Sequence, residues 1–259
     1  MSRRTDALHR IAGLVRLLAA VVGVVALFAN FEYVQGFSDF ATVNYFSYFT
    51  QQSNMVNVGV LLASGLLALV GRRDPPWFAA LHALVTTYVV VSGVVFAVIV
   101  TQSASHHYSL AFPRSSQVLH FWLAGYVLVD WIVAPGRTPV RWRTLWLVLI
   151  YPLVWGWFTL QRGREVRWYP YFFLDPAQVD DTQFVLYNAI VLAIIVGVLC
   201  ALVGLSRLRP THLLRHRLTP KPTTPKTGEP GDAQGDGVAD GAAPDGLGVG
   251  DAVDGTMSR

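Results

Sequence analysis

The chain has 259 residues, of which 53% are hydrophobic and 14% charged, with a formal net charge of +4. That balance excludes an ordinary soluble domain and points to a membrane protein. One cysteine, Cys200 inside an apolar run, excludes an intrachain disulfide and a cysteine metal cage, and the basic excess, arginine except for Lys221 and Lys226, lies at the ends of apolar runs, a pattern of membrane topology and not of nucleic-acid binding.

Six apolar stretches are each long enough to cross a hydrocarbon core of about 30 Å. The first, Ile11–Phe31, follows Arg3, Arg4 and Arg10; its apolar core is too long for a signal peptide, and Asn30-Phe31-Glu32 is a poor cleavage site, so it reads as a helix. The second, Thr50–Val70, opens with the polar string Thr50-Gln51-Gln52-Ser53-Asn54. The third and fourth are Trp77–Val100 and Ser116–Ala134, and between them lies the pair His106-His107. The fifth, Thr144–Leu160, carries Pro152 and Gly156, and the sixth is Gln183–Leu205. Beyond Arg217 the composition turns to Pro, Gly, Asp and Thr, as in KPTTPKTGEPGDAQGDG, which buries too little apolar surface to offset ordering; Leu218 to Arg259 reads as a disordered tail behind a membrane domain of residues 1–217. The expected fold is therefore all-α, a polytopic six-transmembrane-helix bundle.

Arginine counting sets the expected orientation. Arg3, Arg4, Arg10, Arg72, Arg73, Arg137, Arg141, Arg143, Arg207, Arg209, Arg215 and Arg217 fall on one side. Arg114, Arg162, Arg164 and Arg167 fall on the other, together with Glu32 and Asp39. Both termini are expected to face the cytoplasm, in the cytoplasmic membrane, with membrane lipids as the surrounding partner and no nucleic acid.

Depth along the spans sorts the polar residues into two layers. In the outer one, Thr50, Ser53, Asn54 and Asn57 recur on one stripe that should face protein. His120 enters about 6 Å below the same rim with Gln117 a turn above it, and Tyr187 and Asn188 reach a similar level from the sixth span. Thr50, Asn54, His120 and Asn188 can thus meet. In the inner layer Arg16, His82 and Asp130 each lie roughly 7 Å from the opposite boundary. Intramembrane ionisable groups are expensive and pair within the bundle, so Asp130 is expected to pair with Arg16 or His82, as a fixed ion pair or, alternatively, as part of a proton relay.

Two chemistries suit the outer layer. Hydroxyl, amide and imidazole groups often do no more than join membrane helices by hydrogen bonds. Alternatively, a threonine hydroxyl beside a histidine that takes its proton can attack an ester carbonyl, with Asn54 or Asn188 donating to the oxyanion or binding substrate. Asp130 cannot complete a triad, since ten helical residues put it about 15 Å from His120. The aromatic loop residues Trp168, Tyr169, Tyr171, Phe172 and Phe173 read as an interfacial belt or as a lid over an outer pocket.

The stretch Tyr48-Phe49-Thr50 with an asparagine soon after, the pair Leu119-His120 with Asp130 ten residues on, and WYPYFFLD from Trp168 to Asp175, in this order on six spans, resemble the androgen-inducible membrane-protein family and its bacterial relatives. The likeness runs from Ile11 to about Leu205. Animal members of that family are intramembrane threonine hydrolases of fatty acid esters of hydroxy fatty acids. The resemblance implies a catalytic threonine at Thr50, a catalytic histidine at His120 and a lipid ester substrate.

No cofactor or metal is expected. Adjacent histidines such as His106 and His107 point apart and have no carboxylate nearby, His82 and His120 lie in different layers and do not suit a haem, and the glycine-rich tail lacks a phosphate-binding pattern. The competing class is a non-enzymatic membrane scaffold or transporter. A transporter would show matched interruptions in two halves, and Pro152 and Gly156 have no counterpart in an earlier span.

Overall fold

A computed structural model of the chain describes residues 3–37, 41–105, 112–135 and 138–207. The expected disordered tail and His106-His107 lie outside these. The described residues are helical, without strands. The helices are α1 (Arg3–Gln35), α2 (Thr42–Tyr45), α3 (Phe49–Leu69), α4 (Pro76–Ser105), α5 (Arg114–Gln117), α6 (Leu123–Val133), α7 (Ile150–Val166) and α8 (Asp181–Leu205). Val118–Trp122 forms a π-helical turn between α5 and α6, and Trp142–Trp146 and Phe172–Leu174 form 3-10 turns. Six helical segments are long and apolar enough to cross a membrane, so the chain is a multi-pass integral membrane protein with the expected six-helix architecture.

The fifth span, Trp142–Val166, contains the expected Thr144–Leu160 stretch, but its first part is not α-helical. Trp142–Trp146 winds as a separate 3-10 turn and α7 begins at Ile150. Pro152 falls in the first turn of α7, where a missing N–H breaks no hydrogen bond, and it does not interrupt the helix. At the other end of the chain's apolar run, α8 is fixed by a capping box in which Asp180 and Gln183 satisfy each other's main-chain N–H groups.

α4 is shared by two cores. On one side Val85 and Val89 pack with Ala20 of α1, Val58 and Leu61 of α3, and Val127 of α6. On the other, Ala83 and Val91 pack with Ile195, Leu199 and Leu202 of α8. α1 and α3 run antiparallel in close contact because both lack side chains where they cross: a Cβ on Gly13 would sit 2.9 Å from the Gly65 carbonyl oxygen.

Polar ties lock the end of the bundle where α1 begins and α8 finishes, here the terminal end. Arg16 Nε donates to both oxygens of Asp130 at 3.1 and 3.2 Å, with Arg16 1% exposed. Of the two partners expected for Asp130, the structure selects Arg16. His82 turns instead towards the α3–α4 connection, its Nδ1 3.9 Å from Asp74 Oδ2 and its ring edge-on to Trp131. His9 aims its two ring nitrogens at main-chain carbonyls of two different connections, Arg72 at 3.0 Å and Pro135 at 3.3 Å. Trp131 Nε1 donates to the Leu202 carbonyl at 2.9 Å and so joins α6 to α8.

Candidate active site

The opposite, distal end carries the polar string at the start of α3, and each member has a separate task. Gln51 donates to Asn30 Oδ1 of α1 at 2.9 Å. Gln52 donates to the Phe46 carbonyl at 2.7 Å and accepts from Tyr151 of α7 at 2.8 Å. Ser53 donates to the Thr50 carbonyl, and Thr50, Ser53, Asn54 and Asn57 are all buried, as the stripe requires. These residues fasten the entry of α3 to α1 and α7 and leave the Thr50 side chain facing a cavity.

That cavity, about 340 Å³, lies between α3, α4, α7, α8 and the π-turn, and is walled mainly by apolar groups. Thr50, His120 and Asn188 all line it, so three of the four residues expected in the outer layer converge there. The volume lies in the range of small-molecule sites, and an apolar wall with a few convergent polar groups is what such sites present.

His120 is held on three sides. The π-turn, a wider winding often found at functional sites, sets its direction. Its Nδ1 lies 2.8 Å from the Ser116 carbonyl oxygen. A carbonyl only accepts, so Nδ1 carries a proton, and in the neutral imidazole Nε2 keeps the lone pair. Phe96 stacks on the ring at 3.9 Å between centroids and 22° between planes. Gly93 of α4 lies so close to the His120 carbonyl that a Cβ there would collide with it.

Thr50 stands in the first turn of α3, where main-chain N–H groups have no intrahelical acceptor. The Tyr171 phenol reaches this point from the 3-10 loop: its Oη is 3.5 Å from Thr50 N and 3.4 Å from Thr50 Oγ1. Burial pushes the phenol up to about 12, against the opposing pull of the hydrogen bonds its oxygen makes with Thr50, so the group is neutral and keeps its proton. Tyr171 stacks on Phe173 at 5.3 Å, and Tyr171, Phe173 and Leu174 line the cavity. Part of the aromatic loop is thus cavity wall.

The two asparagines are placed differently from each other. Asn54 is not among the cavity-lining residues; fully buried, it donates to the Thr50 carbonyl at 3.0 Å and the Leu119 carbonyl at 3.4 Å, joining the main chain at Thr50 to the main chain beside His120. Asn188 lines the cavity, but its amide donates to the Phe184 carbonyl at 2.8 Å and, more weakly, to Phe173 at 3.5 Å. The polar group that faces Thr50 is the Tyr171 hydroxyl, whose oxygen accepts the Thr50 N–H and which shares a second hydrogen bond with Thr50 Oγ1. Aromatic loop composition alone does not separate Tyr171 from its neighbours; only its approach to the start of α3 does.

No group of three or more metal-ligating side chains occurs among the described residues. No family model, curated protein or solved structure matches the chain.

Proposed function

We propose that this integral membrane protein hydrolyses lipid acyl esters inside the membrane, with Thr50 as nucleophile and His120 as general base. The observation that carries the reading is the shared cavity, in which a threonine hydroxyl and an imidazole with a free Nε2 face a largely apolar chamber. The likeness of Tyr48-Phe49-Thr50, Leu119-His120 and WYPYFFLD to the androgen-inducible membrane-protein family supports the same roles, and we assign the chain to the relatives of that family on those motifs.

In this mechanism the Thr50 hydroxyl attacks the ester carbonyl carbon as its proton passes to His120 Nε2. The oxyanion receives a hydrogen bond from the Tyr171 phenol, whose oxygen accepts the Thr50 main-chain N–H in the resting site and whose proton is left for the substrate. Collapse releases the alcohol, which takes the proton from His120. Water then hydrolyses the acyl-threonine with His120 again as base. Asn54 positions the two halves of the site by holding the Thr50 and Leu119 carbonyls, and Asn188 supports the loop that bears Tyr171. The substrate enters from the bilayer past α7, since Leu153 and Trp157 both line the cavity and are 53% and 65% exposed.

The arginine distribution supports a cytoplasmic-membrane orientation with both termini inside and the cavity near the outer face. Hydrolysis of a fatty acyl ester by purified wild type, Thr50→Ala, His120→Ala and the double variant tests the assignment. Residues acting as one unit give similar losses in all three variants. Near wild-type turnover by a properly inserted Thr50→Ala protein contradicts it and favours the scaffold or transporter.

A further inference from the structure

One stripe of α3 continues inward behind the cavity wall and carries open polar atoms that the hydrolase reading does not use. Gln51, Asn54 and Asn57 recur every three residues, a step of about 4.5 Å. Gln51 Oε1, Asn54 Oδ1 and both amide atoms of Asn57 are buried without a hydrogen-bond partner. Asn57 is 0% exposed. Thr86 of α4, equally buried, has a partnerless hydroxyl. Asn57 is twelve residues before the end of α3 at Leu69, and Thr86 ten residues after the start of α4 at Pro76. At about 1.5 Å per residue the two lie within roughly 3 Å of the same depth.

The stripe has a floor. Gly23 lies against Val58 and Gly13 against Gly65, so Arg16 falls roughly two turns deeper than Asn57. While Arg16 Nε holds Asp130, Arg16 Nη2 is buried with no partner. An apolar cluster from α1, α3, α4 and α6 packs in the same part of the bundle, and unpaired polar atoms buried in a membrane helix bundle are costly enough that native structures pair nearly all of them.

We propose that internal water fills a polar seam running from Gln51 past Asn57 and Thr86 to Arg16. The chemistry of the open groups selects water over an ion. They include acceptors (Gln51 Oε1, Asn54 Oδ1, Asn57 Oδ1), donors (Asn57 Nδ2, Arg16 Nη2) and a hydroxyl that does both, and water is the small ligand that donates and accepts in turn. A cation would need a negative partner, and the Asp130 carboxylate is held by Arg16. An anion would meet a guanidinium already paired. The seam begins at Gln51, the residue after Thr50, and it stands whether or not the cavity is catalytic.

Water-edited solid-state NMR of the full chain in lipid bilayers reads the seam directly. Magnetisation from water protons is expected to reach the Asn57 side-chain amide, identified by its loss in Asn57→Leu, nearly as fast as the exposed rim; no transfer overturns the proposal. Thr86→Val, which keeps shape, supplies a second readout that does not depend on Asn57. Bridged groups lower Tm by a few degrees in Thr86→Val and in Asn57→Leu, and the double variant loses less than the two losses combined. A rise in Tm on removing either polar group, or a Tm that changes when choline replaces sodium, overturns it by showing a dry orphan or a cation.

Discussion

The Tyr171 phenol oxygen lies within 3.5 Å of both the main-chain nitrogen and the hydroxyl of Thr50, although 121 residues separate them. This contact brings the loop before α8 onto the first turn of α3, and it sets a neutral phenol hydroxyl beside Thr50, where neither asparagine directs its amide. Tyr171→Phe keeps the ring and its stack on Phe173 while removing the donor. Hydrolysis is expected to fall by about 10²–10³ in kcat with KM little changed, the size found for loss of one oxyanion donor. A loss confined to KM would assign Tyr171 to substrate binding instead.

The same phenol should be visible in alkaline titration. Burial raises its folded-state value from 10.0 to about 12, so its contribution to stability is complete below pH 10 and is lost as pH rises through about 12. Spectrophotometric titration of wild type against Tyr171→Phe should show the missing phenolate absorbance only near the top of that window. A difference appearing below pH 10 contradicts a buried neutral phenol.

Gly156 lines the cavity, and a Cβ built there meets nothing within 4 Å. Gly156→Ala is expected to insert normally and gain about 0.5–1 kcal/mol from helix propensity. Gly156→Phe projects a ring into the chamber and should lose about a hundredfold in hydrolysis, as displacement of a reacting group by about 1 Å does. Gly197→Phe on α8, equally open but outside the cavity, is the control. Equal losses at both positions would remove the cavity from the mechanism.

Much of the architecture was legible because it rests on length and periodicity. Six apolar runs gave six spans, and the spacing of Thr50, Ser53, Asn54 and Asn57 gave a buried stripe. Depth counting put Arg16 level with Asp130 and brought Thr50, His120 and Asn188 to one end. What stayed hidden depends on local winding and on connections. Val118-Leu-His-Phe-Trp122 reads as ordinary helix, yet winds as a π-turn that aims His120. Asp74 counts as a connection residue by sequence, yet it is the carboxylate nearest His82. Tyr171 sits among aromatics that suit an interfacial belt equally well.

For the inner ion pair, thermal unfolding in detergent separates its members. Asp130→Asn leaves a buried guanidinium without its counter-charge and should cost about 3–5 kcal/mol, and adding Arg16→Leu should restore part of it. Adding His82→Phe instead should be close to additive, since His82 faces Asp74. Additivity in the Arg16 cycle with coupling in the His82 cycle would reverse the assignment.

The central claim is that Thr50 is a nucleophile. An alkyl fluorophosphonate, which phosphonylates activated hydroxyls and releases fluoride, applied to the full chain in membranes tests it with peptide mass spectrometry. The expected result is a stoichiometric adduct on the peptide carrying Thr50, slowed in His120→Ala and in Tyr171→Phe and absent in Thr50→Ala. An unlabelled Thr50 in protein that hydrolyses an acyl ester, or an adduct elsewhere that Thr50→Ala leaves untouched, contradicts the account.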